Sequence, residues 1–168
     1  MRWLSFSILL FALIVVQVSM GYLFGIIKPD FLLLLAVLLA YRGSGPKMLI
    51  ACWILGFAKD LTSEASLGCY AFAFGLIALL IVRVRELFYG DHPLALIILT
   101  ALCSFIVEQM ILALGFIKGD LAESSYATIT WALLFAALFT GGLAPYGQWL
   151  VMKMHRRLGL PRWRNYSH

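Results

Sequence analysis

Six runs of apolar residues separated by short polar turns fill almost the whole chain, and they constrain its fold more than any single motif. They extend from Trp3 to Ile27, Pro29 to Tyr41, Pro46 to about Leu61, Leu67 to Val82, Pro93 to Ile117 and Tyr126 to Met152. A bilayer core of ~30 Å needs about 20 helical residues at 1.5 Å each. The first, fifth and sixth runs exceed that length, which implies tilt, while the second, third and fourth are short. Apolar residues (AVILMFWYC) are 63% of the 168 and charged residues only 12%, with a mean hydropathy of +0.96. A globule of 18.8 kDa leaves much of its surface in water and could not hide so many apolar groups. Lipid must be the solvent for most of this surface. A disordered tail, a secreted disulfide scaffold and a cytosolic enzyme are excluded together.

The second and third runs, split by Arg42-Gly-Ser-Gly-Pro-Lys47, could form a re-entrant hairpin. That would bury Arg42 and Lys47 in the membrane at roughly 2.5–3.5 kcal/mol each, so two complete spans are preferred. Six spans place Arg2, Arg42, Lys47, Arg83, Arg85, Lys153, Arg156, Arg157, Arg162 and Arg164 on one side, and only Lys28, Lys59 and Lys118 on the other. This asymmetry puts the first side in the cytoplasm, with both termini inside. Trp3, Trp149, Trp163, Tyr22, Tyr41 and Tyr126 fall near span ends, where aromatic belts form. The reading is an all-α membrane protein: a six-span bundle over residues 1–152 and a basic cytoplasmic tail over 153–168. Arg2 and the small residues Ser19 and Gly21 resemble a signal peptide, but the apolar run outlasts a 7–15-residue h-region, so an uncleaved first span is expected.

Local punctuation agrees. Asp91-His92-Pro93 sets a capping residue before a proline suited to the first helical turn. Ser124 and Ser125 are candidate caps for the sixth helix, and Pro145 with Gly141-Gly142 predicts a kink in it. Cys52, Cys69 and Cys103 lie in apolar runs, odd in number and without C-x-x-C spacing, which indicates inert packing. The net charge of +5 sits largely in the tail: Lys153, Arg156, Arg157, Arg162 and Arg164 suit anionic lipid or an acidic partner rather than nucleic acid. None of the H-E-x-x-H, G-x-x-x-x-G-K-[ST], G-x-S-x-G or G-x-G-x-x-G patterns occurs. His92, His155 and His168 lie in loops or the tail, so no catalytic residue, metal or cofactor is expected. Asn165-Tyr-Ser167 matches the glycosylation sequon but falls on the cytoplasmic side.

Three constellations remain. Glu108 lies nine residues inside the fifth run, roughly 13 Å deep, with Gln109 beside it. An intramembrane carboxylate suggests proton or cation coupling. The structural alternative, an acid hydrogen-bonded within the bundle near Ser104 and Thr100, is preferred because no second ionisable group is evident at that depth. Lys59-Asp60 ends the third run, either as a solvated helix end or with Asp60 as a lock on the following turn; Gly68 then admits close helix approach. Gly21-x-x-x-Gly25 and Gly115-x-x-x-Gly119 have the spacing of lipid-embedded helix contacts.

Gly56-Phe-Ala-Lys-Asp60-Leu61, followed by Leu67-Gly68 and an apolar run, resembles the signature of the rod shape-determining MreD family. Pro29-Asp30-Phe31 is similar to the family's start of its second span, and Gly142, Pro145 and the basic end to its last helix. Lys59 departs from the pattern, where an apolar residue is expected. The resemblance implies a non-enzymatic, multi-pass inner-membrane protein of the cell-elongation machinery, with a bundle similar to the substrate-binding subunits (S-components) of energy-coupling-factor transporters. It implies association with the bitopic protein MreC and with a complex containing the actin-like MreB, the glycosyltransferase RodA and a class B penicillin-binding protein. Gly56, Asp60 and Gly68 carry over as structural motif positions. The competing reading is a transporter subunit that binds a small molecule in an outward-facing pocket.

Overall fold

The computed structural model describes residues 3–24, 28–43, 46–63, 68–84, 93–117 and 123–158. Among them are six helices and no strand: α1 (Trp3–Phe24), α2 (Phe31–Arg42), α3 (Pro46–Thr62), α4 (Cys69–Val84), α5 (Pro93–Ile117) and α6 (Glu123–Leu158). Each apolar run is one helix. Prolines 46 and 93 open α3 and α5 as first-turn residues, where their missing N–H has no partner to lose. Ser124 and Ser125 differ from their expected place, lying inside the first turn of α6, which begins at Glu123. The same helix continues through Pro145 and beyond residue 152 to Leu158.

The shortest helix is the centre of the molecule. Residues 32–40 of α2 are all buried, as a helix apolar on every side requires, and α2 touches each of the other five. Around it α3, α4, α5, α6 and α1 form a ring, with α3 packed most closely on α4 and α5 on α6. The ring helices carry two apolar faces. On α5, Leu96, Thr100, Cys103 and Val107 are buried while Leu94, Ile98, Leu102 and Ile106 are exposed. A stripe at i, i+4 points inward, and a second apolar stripe points out.

Two helices, Leu94–Gly115 and Ile129–Val151, are long and apolar enough to cross a membrane, and only 28% of each is buried. That low share separates them from the core helices of a soluble protein, whose apolar surface is covered by protein.

At Gly21 the expected close backbone approach is not found among the described residues. A Cβ at Gly21 would meet only the Lys28 side chain, at 3.6 Å, so no neighbouring backbone approaches there. Gly115 lies half-buried on α5; Gly25 and Gly119 fall outside the described residues. Tight contacts between helices include Gly56, where a Cβ would stand 2.6 Å from Ala71 Cα and the Tyr70 carbonyl, Gly141, 2.8 Å from Ala101 Cβ, and Gly75, where it would collide with the Trp53 indole. Cys52 and Cys103 are buried, Cys69 partly so, and all three are free thiols.

Candidate functional site

The ends of three helices meet in one polar layer. Asp30 caps α2: its Oδ1 accepts the Leu33 N–H at 3.2 Å, a use of an N-cap carboxylate that also suits the positive end of the helix dipole. Two further N–H groups at this helix start are taken by neighbours. The Asp30 N–H donates to Thr140 Oγ1 on α6, and the Phe31 N–H to Gln17 Oε1 on α1, each at 3.0 Å. Thr140 passes its own proton to the Ala136 carbonyl at 2.8 Å. The Gln17 carboxamide nitrogen is buried without an acceptor.

The start of α4 is capped from another helix. Asp60 on α3 accepts the Tyr70 and Ala71 N–H groups on its two oxygens, both at 3.0 Å. Four residues earlier, Gly56 lets that same Tyr70–Ala71 backbone press against α3. Gly68, one residue before α4, has φ +95°, a conformation costing an L-residue about 1–2 kcal/mol. The three residues therefore do one job: Gly68 turns the chain, Gly56 admits the helix start, and Asp60 holds its free donors. This corrects the expected role of Gly68, since a Cβ there would meet nothing within 4 Å. Its conformation, not close packing, requires glycine. Leu61 is exposed and Pro29 buried, while Leu67 lies outside the described residues.

An ionic group links these caps. Lys59 Nζ is paired with Asp30 Oδ2 and, at 3.2 Å, with Glu108 Oε1. Tyr70 donates its hydroxyl proton to Glu108 Oε2 at 3.1 Å, and the Lys59 ammonium stands 4.8 Å from the Tyr70 ring centroid, within cation–π range. Two expectations are overturned here. Lys59-Asp60 is not a solvated helix end, because the two residues are 5% and 2% exposed. Nor is Glu108 the lone ionisable group at its level, since Lys59 and Asp30 share it. Depth counted from helix ends hides this, because α3 ends two residues beyond Asp60 while α5 runs nine beyond Glu108. The lysine in an apolar run, facing acids at two other run positions, was the signal available.

Every helix contributes to this layer: Gln17, Asp30, Lys59 with Asp60, Tyr70, Glu108 and Thr140. Ser104 and Thr100 are buried on α5, one and two turns below Glu108, and Gln109 is half-buried. No group of three or more metal-ligating side chains occurs among the described residues.

The family model for the rod shape-determining protein MreD matches residues 1–154. The chain belongs to the MreD family. No curated protein and no solved structure matches it. It is thus a membrane protein of the rod-shape machinery, and the stretch from Gly56 to Gly68 that suggested MreD is the α3–α4 clamp. The basic end lies away from the polar layer: Lys153 is exposed, its Nζ 4.9 Å from the Trp149 ring. Arg156 and Arg157 are on the last turns of α6, whereas Arg162 and Arg164 lie outside the described residues.

Proposed function

We propose that this MreD-family chain is a non-enzymatic scaffold of the cell-elongation complex. It crosses the inner membrane six times with both termini in the cytoplasm, and it holds the transmembrane helix of the bitopic protein MreC. Through that contact it supports lateral peptidoglycan synthesis by RodA, a class B penicillin-binding protein and the MreB filament. The family match over residues 1–154 carries this reading. The geometry supports it, since the polar layer's hydrogen bonds and ion pairs tie one helix to another while large apolar side chains cover the outside. Lys47, Arg83 and Lys153 are exposed at the end opposite the layer, which suits a cytoplasmic face. An S-component-like ring around α2 also fits the six-span topology.

A small-molecule transporter subunit is the second reading. It needs a polar cavity, and a cavity beside α2 is about 10 Å³, lined by apolar groups such as Leu33, Phe74, Ile81 and Val107. That is room for one water at most. The scaffold reading is tested by co-purification from detergent with tagged MreC. Wild type is expected to retain the partner, and Gly56→Leu to lose it together with folded protein. Recovery of folded wild-type chain without MreC would overturn the assignment.

A further inference from the structure

Four of the ring helices sort into two pairs. Helix α4 packs far more closely on α3 than on α5, and α5 far more closely on α6 than on α4. Within each pair, glycine lets the helices press together. Gly56 admits the Tyr70–Ala71 backbone and Gly75 the Trp53 indole, while a Cβ at Gly141 would come within 2.9 Å of Ala101 Cβ and the Ile97 carbonyl. Helices locked this closely cannot slide without collision, so α3–α4 and α5–α6 each move as one body. The α4–α5 seam between them is built differently. Ala36 and Val37 of α2, Phe74, Ile77 and Ala78 of α4, and Val107 of α5 line the small apolar cavity there, and a void forfeits the dispersion contacts its walls would otherwise make. In lipid, moreover, the apolar faces of α4 and α5 gain little by meeting, because acyl chains offer the same contact. Next to Val107, at the edge of this cavity, stands Glu108, which joins the two pairs twice. Its Oε1 lies 3.2 Å from Lys59 Nζ on α3, and its Oε2 accepts the hydroxyl proton of Tyr70 on α4 at 3.1 Å. On the other side of the α5–α6 pair, α6 rests on α2. Thr140 there accepts the Asp30 N–H at 3.0 Å, and a Cβ at Gly147 would lie 3.0 Å from Leu34.

We propose that the α4–α5 seam is a lateral gate: the α5–α6 pair swings about its contact with α2, and Glu108 is the latch that holds α5 against α4. The inference goes beyond the scaffold reading and does not depend on it. The latch is strong because its bonds are charge-assisted, and it is releasable because both end on one carboxylate. The swing opens sideways toward lipid, and the surface it bares on the central helix, Ala36 and Val37, is apolar and needs no water.

The test reads distances in the full chain in nanodiscs by double electron–electron resonance. Nitroxides are coupled to p-acetylphenylalanine, so the three native thiols stay untouched. Leu80 on α4 and Ile98 on α5 report on the seam; each is ten residues from its end of the Tyr70–Glu108 bond, about 15 Å toward the opposite end of the bundle. Ile50 with Leu80 reports on the α3–α4 pair, and Ile98 with Tyr146 on the α5–α6 pair; all four side chains are exposed. The latch is removed by Glu108→Leu combined with Tyr70→Phe. That double variant strands no charge, because Lys59 keeps Asp30, and it retains both the aromatic ring beside the ammonium and the backbone bond to Asp60. The fraction of long Leu80–Ile98 distances is expected to rise roughly tenfold over wild type, the scale of one hydrogen bond to a charged group, while the two distributions within pairs stay as they are. Glu108→Gln, which keeps an oxygen for Lys59 and Tyr70, should show the same change to a smaller extent and serves if the double variant does not fold. A seam distribution that neither variant alters overturns the proposal. So does equal broadening at all three sites, because the pairs would then not be rigid bodies.

Discussion

Along its middle, α2 lies among hydrocarbon: Leu35, Leu38 and Leu39 are buried in an apolar cluster. At its start the same helix is held by Asp30 through a lysine, a threonine and its own N–H groups. Burial is equally complete in the two regions, but the forces differ. Apolar packing is non-directional and scales with area, so the middle of α2 accepts other side chains of the same volume. The polar layer depends on particular atoms, and removing one leaves its partners stranded in a medium without water. In lipid the hydrophobic effect no longer drives helices together. The layer therefore supplies the register that apolar surfaces alone leave open.

The largest expected effect comes from breaking the layer at Lys59, whose ammonium two carboxylates share. Lys59→Met strands Asp30 and Glu108 and should cost roughly 3–5 kcal/mol, seen as loss of the monodisperse peak in fluorescence-detected chromatography. Adding Asp30→Asn and Glu108→Gln removes both stranded charges and should return part of that peak. Gly56→Leu comes next, at about 3 kcal/mol or more, because the colliding atoms belong to the Tyr70–Ala71 backbone and cannot rotate away; reduced protein level in membranes reports it. Asp60→Ala orphans the buried Tyr70 N–H and the partly buried Ala71 N–H at roughly 2–4 kcal/mol, and hydrogen exchange should then rise at the start of α4 before anywhere else in that helix. Gly68→Ala, strained only by its positive φ, should cost about 1–2 kcal/mol in reversible SDS unfolding. Least of all, Leu35→Met in the apolar middle should cost under ~1.5 kcal/mol. A Leu35→Met penalty as large as that of Lys59→Met would erase the distinction between the two regions.

Much of the fold was legible. Pro29-Asp30, Pro46 and Pro93 mark where α2, α3 and α5 begin, since proline and a capping acid have direct backbone reasons to sit there. The position of α2 was not: nine successive buried residues in Leu32–Ala40 read the same whether hydrocarbon is supplied by lipid or by five neighbouring helices. The motif residues Gly56, Asp60 and Gly68 stood out, but their division of labour depends on where α4 starts. The ionic group escaped for a related reason. Lys59 and Glu108 share a level only because α3 is recessed relative to α5, and hydropathy along one run carries no information about offsets between runs.

The central claim is that one buried lysine ties α2 to its surroundings through Asp30, and a double-mutant cycle measures that tie directly. Unfolding free energies of wild type, Lys59→Met, Asp30→Asn and the double variant would be compared in bilayer nanodiscs. A coupling of at least ~1.5 kcal/mol, with the double variant more stable than the sum of its parts implies, is the predicted result. Penalties that add within about 0.5 kcal/mol would show that the two charges do not meet in the membrane, and the account would fail.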